Sequence, residues 1–295
     1  LFSGLISLNN DLCNLNPSMV VYAEGRFFYT HNINGTNYNK ETKTLTIPDG
    51  FTWIDTCGVC FCCPDIETVN IPASAAIIRK MAFDGCTKLT TVNIPPGSRL
   101  GEIEDNAFNG CTALKTIDLP ESVQKISKKA FFDCSSLMEI NIPDNVHTIG
   151  EMAFEGCTAL REISLPQKIK EIAFGTFLSC NSLANIIIPA DVHTIDRAAF
   201  LGCTSLKDIT FPLNLQLIDH MAFDGCKYLT EIWLPDKVKK VAFDAFYGCS
   251  SLKKINIPNA AKIFDGSFSN SSEVRIVDDL DVSSSTEVCR YAYKD

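Results

Sequence analysis

The chain has 295 residues, of which 46 % are hydrophobic and 21 % are charged, a composition that folds and excludes a largely disordered chain. Its formal net charge of −9 at pH 7 gives a surface that repels phosphate backbones, so we expect no nucleic-acid partner. No segment approaches the roughly 20 consecutive apolar residues that span a bilayer, and we expect no membrane-spanning segment in this sequence.

The first 43 residues lack the pattern that follows, and we expect them to form an N-terminal cap on residues 44–268. The segment from Met19 to Thr30, with Glu24 and Gly25 at its centre, is predicted to form a pair of short strands. End units of a stacked repeat are atypical because they must shield the open core from water.

Four cysteines crowd the first, irregular repeat: Cys57, Cys60, Cys62 and Cys63. The C-x-x-C spacing is half of a zinc site, but no second pair of matching spacing and no nearby histidine completes it. A local disulfide, and free or buried thiols, are the two other interpretations, and the sequence leaves all three open.

The sequence from Cys86 to Cys249 repeats every 23 residues, except for one repeat of 25 that contains Pro96-Gly97-Ser98-Arg99. Cysteine, proline and phenylalanine each keep this period in a separate column. The cysteine column includes Cys111, Cys134, Cys157, Cys180, Cys203, Cys226 and Cys249, and the phenylalanine column includes Phe131, Phe154, Phe177, Phe200 and Phe223. Such a period predicts stacked units, because one unit cannot bury its own apolar side.

The repeat that begins at Cys134 shows the expected fold of each unit. Ile140 alternates with polar neighbours, as in a short strand with one buried face, and Pro143 ends that strand. Ile149 marks a second inward-facing segment. We expect Phe154 to lie in a tight 3-10 or single-turn helical return. Stacking would align the phenylalanines as an aromatic spine and the cysteines as a ladder of buried thiols.

The pattern weakens at the C-terminal end of the repeats. Val241 and then Phe264 replace the isoleucine of one column, and Phe268 comes one residue early. Residues 274–277 alternate as a strand does. We expect residues 269–295 to form a C-terminal cap and an acidic, serine-rich tail.

The unit L-x-x-I-x-[IL]-P-x-x-[VI]-x-x-I-x-x-x-A-F-x-x-C resembles the 23-residue leucine-rich repeats of treponemal repeat proteins and BspA-like surface proteins. The resemblance covers about residues 44–268. It implies an α/β repeat fold: a curved, right-handed leucine-rich-repeat solenoid with short parallel strands, few short helical or 3-10 turns, and terminal caps. It also implies a surface-exposed or secreted adhesin that binds a protein or glycan, with no signal or anchor in this segment. Since the family brings no catalytic residues and no cofactor, we expect no enzyme.

The outward positions of the strand-bearing face are mostly polar, with one apolar group. This group consists of Ile187, Trp233, Leu213 and Ala190, and the acidic residues that border it are Glu162, Asp208 and Glu231. An exposed apolar group with a tryptophan and a charged rim is typical of a binding hot spot. Chance exposure, or packing under a neighbouring loop, is the alternative interpretation.

The remaining polar residues give weaker indications of chemistry. His147 and His193 occupy the same position two repeats apart, about 10 Å, which is too far to share a metal. The acidic column that contains Glu162 is interpreted as a solvated face. The sequence therefore favours a recognition module. A structural spacer is the rival, and a metal-binding or enzymatic protein that uses Cys57 to Cys63 is the weaker alternative.

Overall fold

A computed structural model describes residues 20–23, 26–29, 38–54, 65–264, 266–271 and 274–276. The N-terminal segment contains β1 (Val20–Ala23) and β2 (Arg26–Tyr29), which pair antiparallel. These strands lie within the segment predicted as a strand pair. The next strand, β3 (Tyr38–Asn39), pairs antiparallel with the first strand of the repeats.

Each coil of the repeat contributes one strand to each of two parallel columns, which confirms the predicted parallel-strand solenoid. The first column consists of β4 (Thr44–Thr46), β6 (Thr68–Asn70), β8 (Thr91–Asn93), β10 (Thr116–Asp118), β12 (Glu139–Asn141), β14 (Glu162–Ser164), β16 (Asn185–Ile187), β18 (Asp208–Thr210), β20 (Glu231–Trp233), β22 (Lys254–Asn256) and β24 (Arg275–Ile276). The second column consists of β5 (Trp53–Ile54), β7 (Ile77–Ile78), β9 (Glu102–Ile103), β11 (Lys125–Ile126), β13 (Thr148–Ile149), β15 (Glu171–Ile172), β17 (Thr194–Ile195), β19 (Leu217–Ile218), β21 (Lys240–Val241) and β23 (Lys262–Ile263).

The strands are in register from coil to coil, so each sequence column becomes a row of side chains along the solenoid. Ile140 pairs with Ile117, and Ile186 pairs with Ile163 and Ile209. Strand pairing in the first column is interrupted between β8 and β10, between β12 and β14, and between β18 and β20. The strands on either side of these interruptions remain neighbours.

The phenylalanine column forms a continuous stack in the core. Nine rings, from Phe83 to Phe268, follow one another with centroids 5.1–5.7 Å apart and planes within 14° of parallel. Phe268 joins the stack on Phe246 although it comes one residue early, because the last coil is one residue shorter and Lys262 pairs with Lys240. The rings from Phe83 to Phe246 are fully buried.

The return between the two columns differs from the prediction, because it contains no helix in the part of the chain that is described. In one coil the N–H groups of Ala153, Glu155 and Cys157 bond three residues back within the coil. The alternate N–H groups of Met152, Phe154 and Gly156 instead donate to carbonyls of the next coil. Met152 and Gly156 have φ of 56° and 76°, which a right-handed 3-10 helix does not permit. The return is thus a third row of inter-coil hydrogen bonds.

Candidate binding face

The first strand column carries the predicted apolar group on its outer surface, which we call the strand face. In β16 and β20 the central residues Ile186 and Ile232 are buried, so the flanking positions point outward. Ile187 is 76 % exposed and Trp233 is 52 % exposed. Large apolar side chains exposed to this degree need a reason, because leaving them in water forgoes about 1.5–3 kcal/mol each of burial free energy.

Leu213 and Ala190 lie just after the ends of their strands, each directly after the proline that recurs in every repeat. A turn closed by the Leu215 N–H and the Pro212 carbonyl holds Leu213 outward, where it is 79 % exposed. The Asn214 Nδ2 donates to the Ala190 carbonyl at 3.2 Å and ties this turn to the preceding coil. Leu213 and Ile187 are the two most exposed large apolar side chains of the described residues.

Thr210 lies between the two apolar strand positions. Ile187 pairs with Thr210 across β16 and β18, and the strand of Trp233 follows next. With neighbouring strands about 4.8 Å apart, Ile187 and Trp233 are about 10 Å apart along the solenoid. Ile187, Leu213 and Trp233 therefore surround Thr210 on three adjacent coils. One side chain or one short segment of a partner can cover this span.

The backbone beside Trp233 is held by the next coil. Asn256 is 4 % exposed, since its amide turns inward to donate to the Leu234 carbonyl at 2.9 Å and to accept from the Leu234 N–H. This side chain therefore satisfies both backbone groups of Leu234, directly after the end of β20. A fixed backbone presents Trp233 in one place, which lowers the entropy lost when a partner binds.

The three predicted rim carboxylates differ in their partners. Glu231 forms an ion pair with Lys254 at 2.9 Å, and both side chains are about half exposed, so the pair adds at most about 1 kcal/mol. Glu162 and Asp208 are exposed and form no ion pair with any residue that the structure describes. The border of the apolar group thus contains two carboxylates, those of Glu162 and Asp208, that are not neutralised by a neighbouring cation among the described residues.

The cysteine column lies in the core. The thiols of Cys111 to Cys249 are free and buried, and each Sγ donates to a phenylalanine carbonyl of the preceding coil at 3.1–3.2 Å. Burial raises the pKa of Cys134 to about 12, and it raises the pKa of Cys157 as well. These thiols are therefore unsuited to nucleophilic catalysis or metal binding, which require the thiolate.

Cys86 departs from its column, because it forms a disulfide. Every other cysteine that the structure describes is free. The sequence did not predict this disulfide, because the regular spacing of Cys86 assigned it to the column of buried thiols. Cys57, Cys60, Cys62 and Cys63 lie outside the described residues, so their interpretation stays open.

The histidines are separated from one another. The Nδ1 atoms of His147 and His193 lie 3.0 Å and 3.2 Å from the hydroxyls of Thr148 and Thr194, two coils apart. Within the described ranges, no three His, Cys, Asp or Glu side chains are grouped so as to hold a metal ion. Over the same ranges, no helix has the length and hydropathy to cross a membrane.

The structure adds one feature that sequence reasoning missed, a recess on the strand face between β8 and β10. Its rim contains Asn70, Asn93 and Asp118, and its volume is about 420 Å³. The two-residue insertion after Pro95 was the sequence feature that marked the place. The insertion alone did not predict that the extra residues would form a recess on the strand face.

A family model for BspA-type leucine-rich-repeat regions matches this chain in six copies, over residues 34–99, 57–183, 95–207 and 170–295. Leucine-rich-repeat proteins of this kind are generally non-enzymatic. A search of curated proteins found no match.

Three solved structures resemble the fold. A leucine-rich repeat protein from Bacteroides ovatus is 27 % identical, with a TM-score of 0.69 over 81 % of this chain and 64 % of that one. A leucine-rich repeat protein from T. pallidum is 28 % identical, with a TM-score of 0.50 over 65 % of this chain and 86 % of its own. One from Eubacterium ventriosum is 22 % identical, with a TM-score of 0.54 over 68 % and 62 %. This chain therefore spans less than two thirds of the Bacteroides protein.

Proposed function

The chain belongs to the BspA-type leucine-rich-repeat family, and we propose that it is a macromolecular recognition module at a cell surface, which binds a protein or glycan through its strand face. Leucine-rich-repeat proteins generally take part in protein interactions or lie at surfaces, and this supports the proposed location. The partner-binding role is that of an adhesin or host-interaction module.

The observation that carries the proposal is the apolar group on the strand face. Ile187, Leu213 and Trp233 occupy three adjacent coils of a face that is mostly polar, and each is more than half exposed. Exposed apolar groups with a tryptophan and a polar rim are enriched at protein-binding sites. The free carboxylates of Glu162 and Asp208 add a charge that selects among partners more than it adds affinity.

The rigidity of the solenoid supports the mechanism. Most neighbouring coils are bonded along both strand columns, and the return adds further inter-coil hydrogen bonds, so the outward side chains keep their spacing. When a partner that fits this spacing binds, little conformational entropy of the surface is lost. Recognition is then by shape complementarity around Thr210, with Trp233 as the central anchor.

The test is a binding screen of the folded chain against extracellular-matrix proteins, host-cell-surface proteins and glycans. An Ile187→Ser/Trp233→Ala double variant is run beside the wild type, and a Met138→Ser/Tyr228→Ser variant serves as a control that removes other exposed apolar side chains. We expect capture that the first variant loses and the control keeps. No capture of any ligand by the wild type would instead support a structural spacer that displays another domain.

The weaker alternative is a metal-binding or enzymatic protein that uses Cys57 to Cys63. A stoichiometric metal in the purified chain, lost when these cysteines are replaced, would favour it over the recognition module.

A further inference from the structure

The recess between β8 and β10 exists because its coil is longer than the others. Pro95 to Ser98 form a turn closed by the Ser98 N–H and the Pro95 carbonyl, with Pro96 second and Gly97 third at φ of 76°. This is the sequence and the backbone of a type II turn. As a result Ile94 is partly exposed, whereas its equivalents Leu119 and Ile142 are buried.

The wall of the recess is fixed in place. Ser98 is 4 % exposed, and its carbonyl accepts from the Ser122 Oγ of the next coil at 2.8 Å. The Leu100 N–H donates to the Ser98 Oγ at 3.2 Å. The inserted residues therefore form a rigid shelf, and the aliphatic surface of Ile94, Pro95 and Pro96 is available to a ligand without rearrangement.

The rim of the recess is electrostatically one-sided. The Asn93 Nδ2 donates to the Asn70 Oδ1 at 2.7 Å, and the Asn70 Nδ2 donates to the Thr46 Oγ1 at 2.9 Å. Both amides donate towards the preceding strand, and the Asn93 Oδ1 accepts no hydrogen bond from a described residue, so it remains an acceptor on the same rim as Asp118. The Asp118 carboxylate has no hydrogen bond or ion pair with any described residue. An amide oxygen without a donor and a carboxylate thus lie on one rim, which favours a cationic group there.

We propose that this recess receives a lysine or arginine side chain of a bound protein, an assignment that rests on the proposed function and names its partner class. The alkyl stem lies on Ile94, Pro95 and Pro96, and the cationic head donates to Asp118 and to the Asn93 Oδ1. A neutral sugar fits less well, because a hydroxyl gains less than a cation from the Asp118 carboxylate.

The position of the recess defines what the partner segment must contain. Asp118 and Ile187 lie in the same outward row, three strands apart, or about 14 Å at about 4.8 Å per strand. An extended peptide advances about 3.3 Å per residue, so about four residues separate a side chain at Asp118 from one at Ile187. The strand face therefore fits an extended segment with a basic residue and a large apolar residue about four positions apart.

The experiment uses the full chain labelled with ¹⁵N and follows the side-chain amide signals of Asn70 and Asn93 by NMR. The probes are N-acetyl-lysine N-methylamide, its uncharged analogue N-acetyl-norleucine N-methylamide, and methyl glucoside. We expect saturable shifts of both amides with the lysine probe only. The Asp118→Asn variant should weaken this binding about tenfold, as loss of a charged partner does, while Asp144→Asn on the same face leaves it unchanged.

Equal shifts with the norleucine probe, saturation by methyl glucoside alone, or no shift with the lysine probe would each overturn the assignment. The result is independent of the binding screen. The Ile187→Ser/Trp233→Ala variant keeps the lysine titration, whereas Asp118→Asn leaves the apolar group intact. The lysine titration therefore tests the cation site at the recess, and the binding screen separately tests the recognition module.

Discussion

The thiol of Cys157 donates to the backbone carbonyl of Phe131 in the preceding coil, with Sγ and O 3.2 Å apart. That carbonyl already accepts from the Cys134 N–H at 3.3 Å. The thiol thus fills the second acceptor site of a carbonyl that is sealed from water by the phenylalanine stack. Cysteine suits this position because it is a small apolar side chain with a weak donor.

We expect Cys157→Ala to lower the free energy of unfolding by about 1–2 kcal/mol, since it removes both the packed sulfur and the second donor to the carbonyl. Urea denaturation followed by circular dichroism measures this loss. Thr112→Ala is the control, because its hydroxyl also donates to a carbonyl of the preceding coil but is exposed. A loss no larger than that of the control would show that the thiol bond has no role in stability.

Alkaline pH should destabilise the fold. Burial raises the pKa of Cys134 and Cys249 from the ordinary value of 9.0 to about 12, and it raises the pKa of the other described free thiols too. Above pH 9 the unfolded chain releases these protons while the folded chain keeps them. The contribution of the protonated thiols to the free energy of unfolding is therefore complete below pH 9. It is lost as pH rises towards 12, and the free energy of unfolding falls by about 1.4 kcal/mol per pH unit for each thiol.

Urea midpoints measured between about pH 8 and about pH 11 test this expectation. A Cys134→Ser variant should have a shallower decline than the wild type, since one titrating thiol is gone. A midpoint that stays constant across this range would contradict the burial of protonated thiols.

The aromatic stack should be most sensitive in its middle. Phe177 is fully buried and stacks on Phe154 and Phe200 at 5.7 Å and 5.4 Å. Phe177→Ala should cost about 3–5 kcal/mol in the free energy of unfolding. Phe243→Ala, on the 43 % exposed ring at the surface, should cost much less. Similar losses from both substitutions would show that the stack is not the core of the solenoid.

Gly150 is a position at which even one methyl group is not accommodated. A Cβ there would lie 2.6 Å from the Lys128 nitrogen and 2.7 Å from the Ser127 carbonyl carbon, both in the backbone of the neighbouring coil. We expect Gly150→Ala to destabilise the chain by about 1–3 kcal/mol through overpacking.

Gly101→Ala is the matched control, because its nearest neighbour would be 3.8 Å from the added carbon. Differential scanning calorimetry should therefore show a lower melting temperature for Gly150→Ala alone. An equal melting temperature for the two variants would mean that adjacent coils separate easily at Gly150.

The period of 23 residues was sufficient to predict the strands and the core. Ile140 and Ile149 each mark a strand because burial on one face imposes alternation, and the phenylalanine column becomes a stack because register is kept. These are consequences of pattern alone, which explains why the family resemblance and the structure agree on a stacked repeat.

The return could not be predicted in the same way. Two residues of each return, four apart, take the left-handed conformation, and Lys129, Met152 and Ala198 do so without being glycine. Inter-coil hydrogen bonds stabilise that backbone, and no local sequence preference signals them. The helical turn expected at Phe154 was therefore wrong.

The candidate site was predicted in part. Alternation within β16 and β20 gave the outward direction of Ile187 and Trp233, but it could not give the partners of Glu231 or the inward turn of Asn256. The recess depends on how an insertion and a row of amides pack together. Such side-chain arrangements follow from tertiary contacts between coils and leave no periodic trace in the sequence.

The most direct test of the recognition module is an oxidative footprint of its two tryptophans, Trp53 and Trp233. The chain is exposed to hydroxyl radicals alone and with a partner captured in the binding screen, and oxidation of each tryptophan is measured by mass spectrometry. We expect the partner to protect Trp233 severalfold and to leave Trp53 unchanged, as a buried anchor on the strand face requires. Undiminished oxidation of Trp233 in a saturated complex would contradict the account, because the partner would then bind elsewhere on the solenoid.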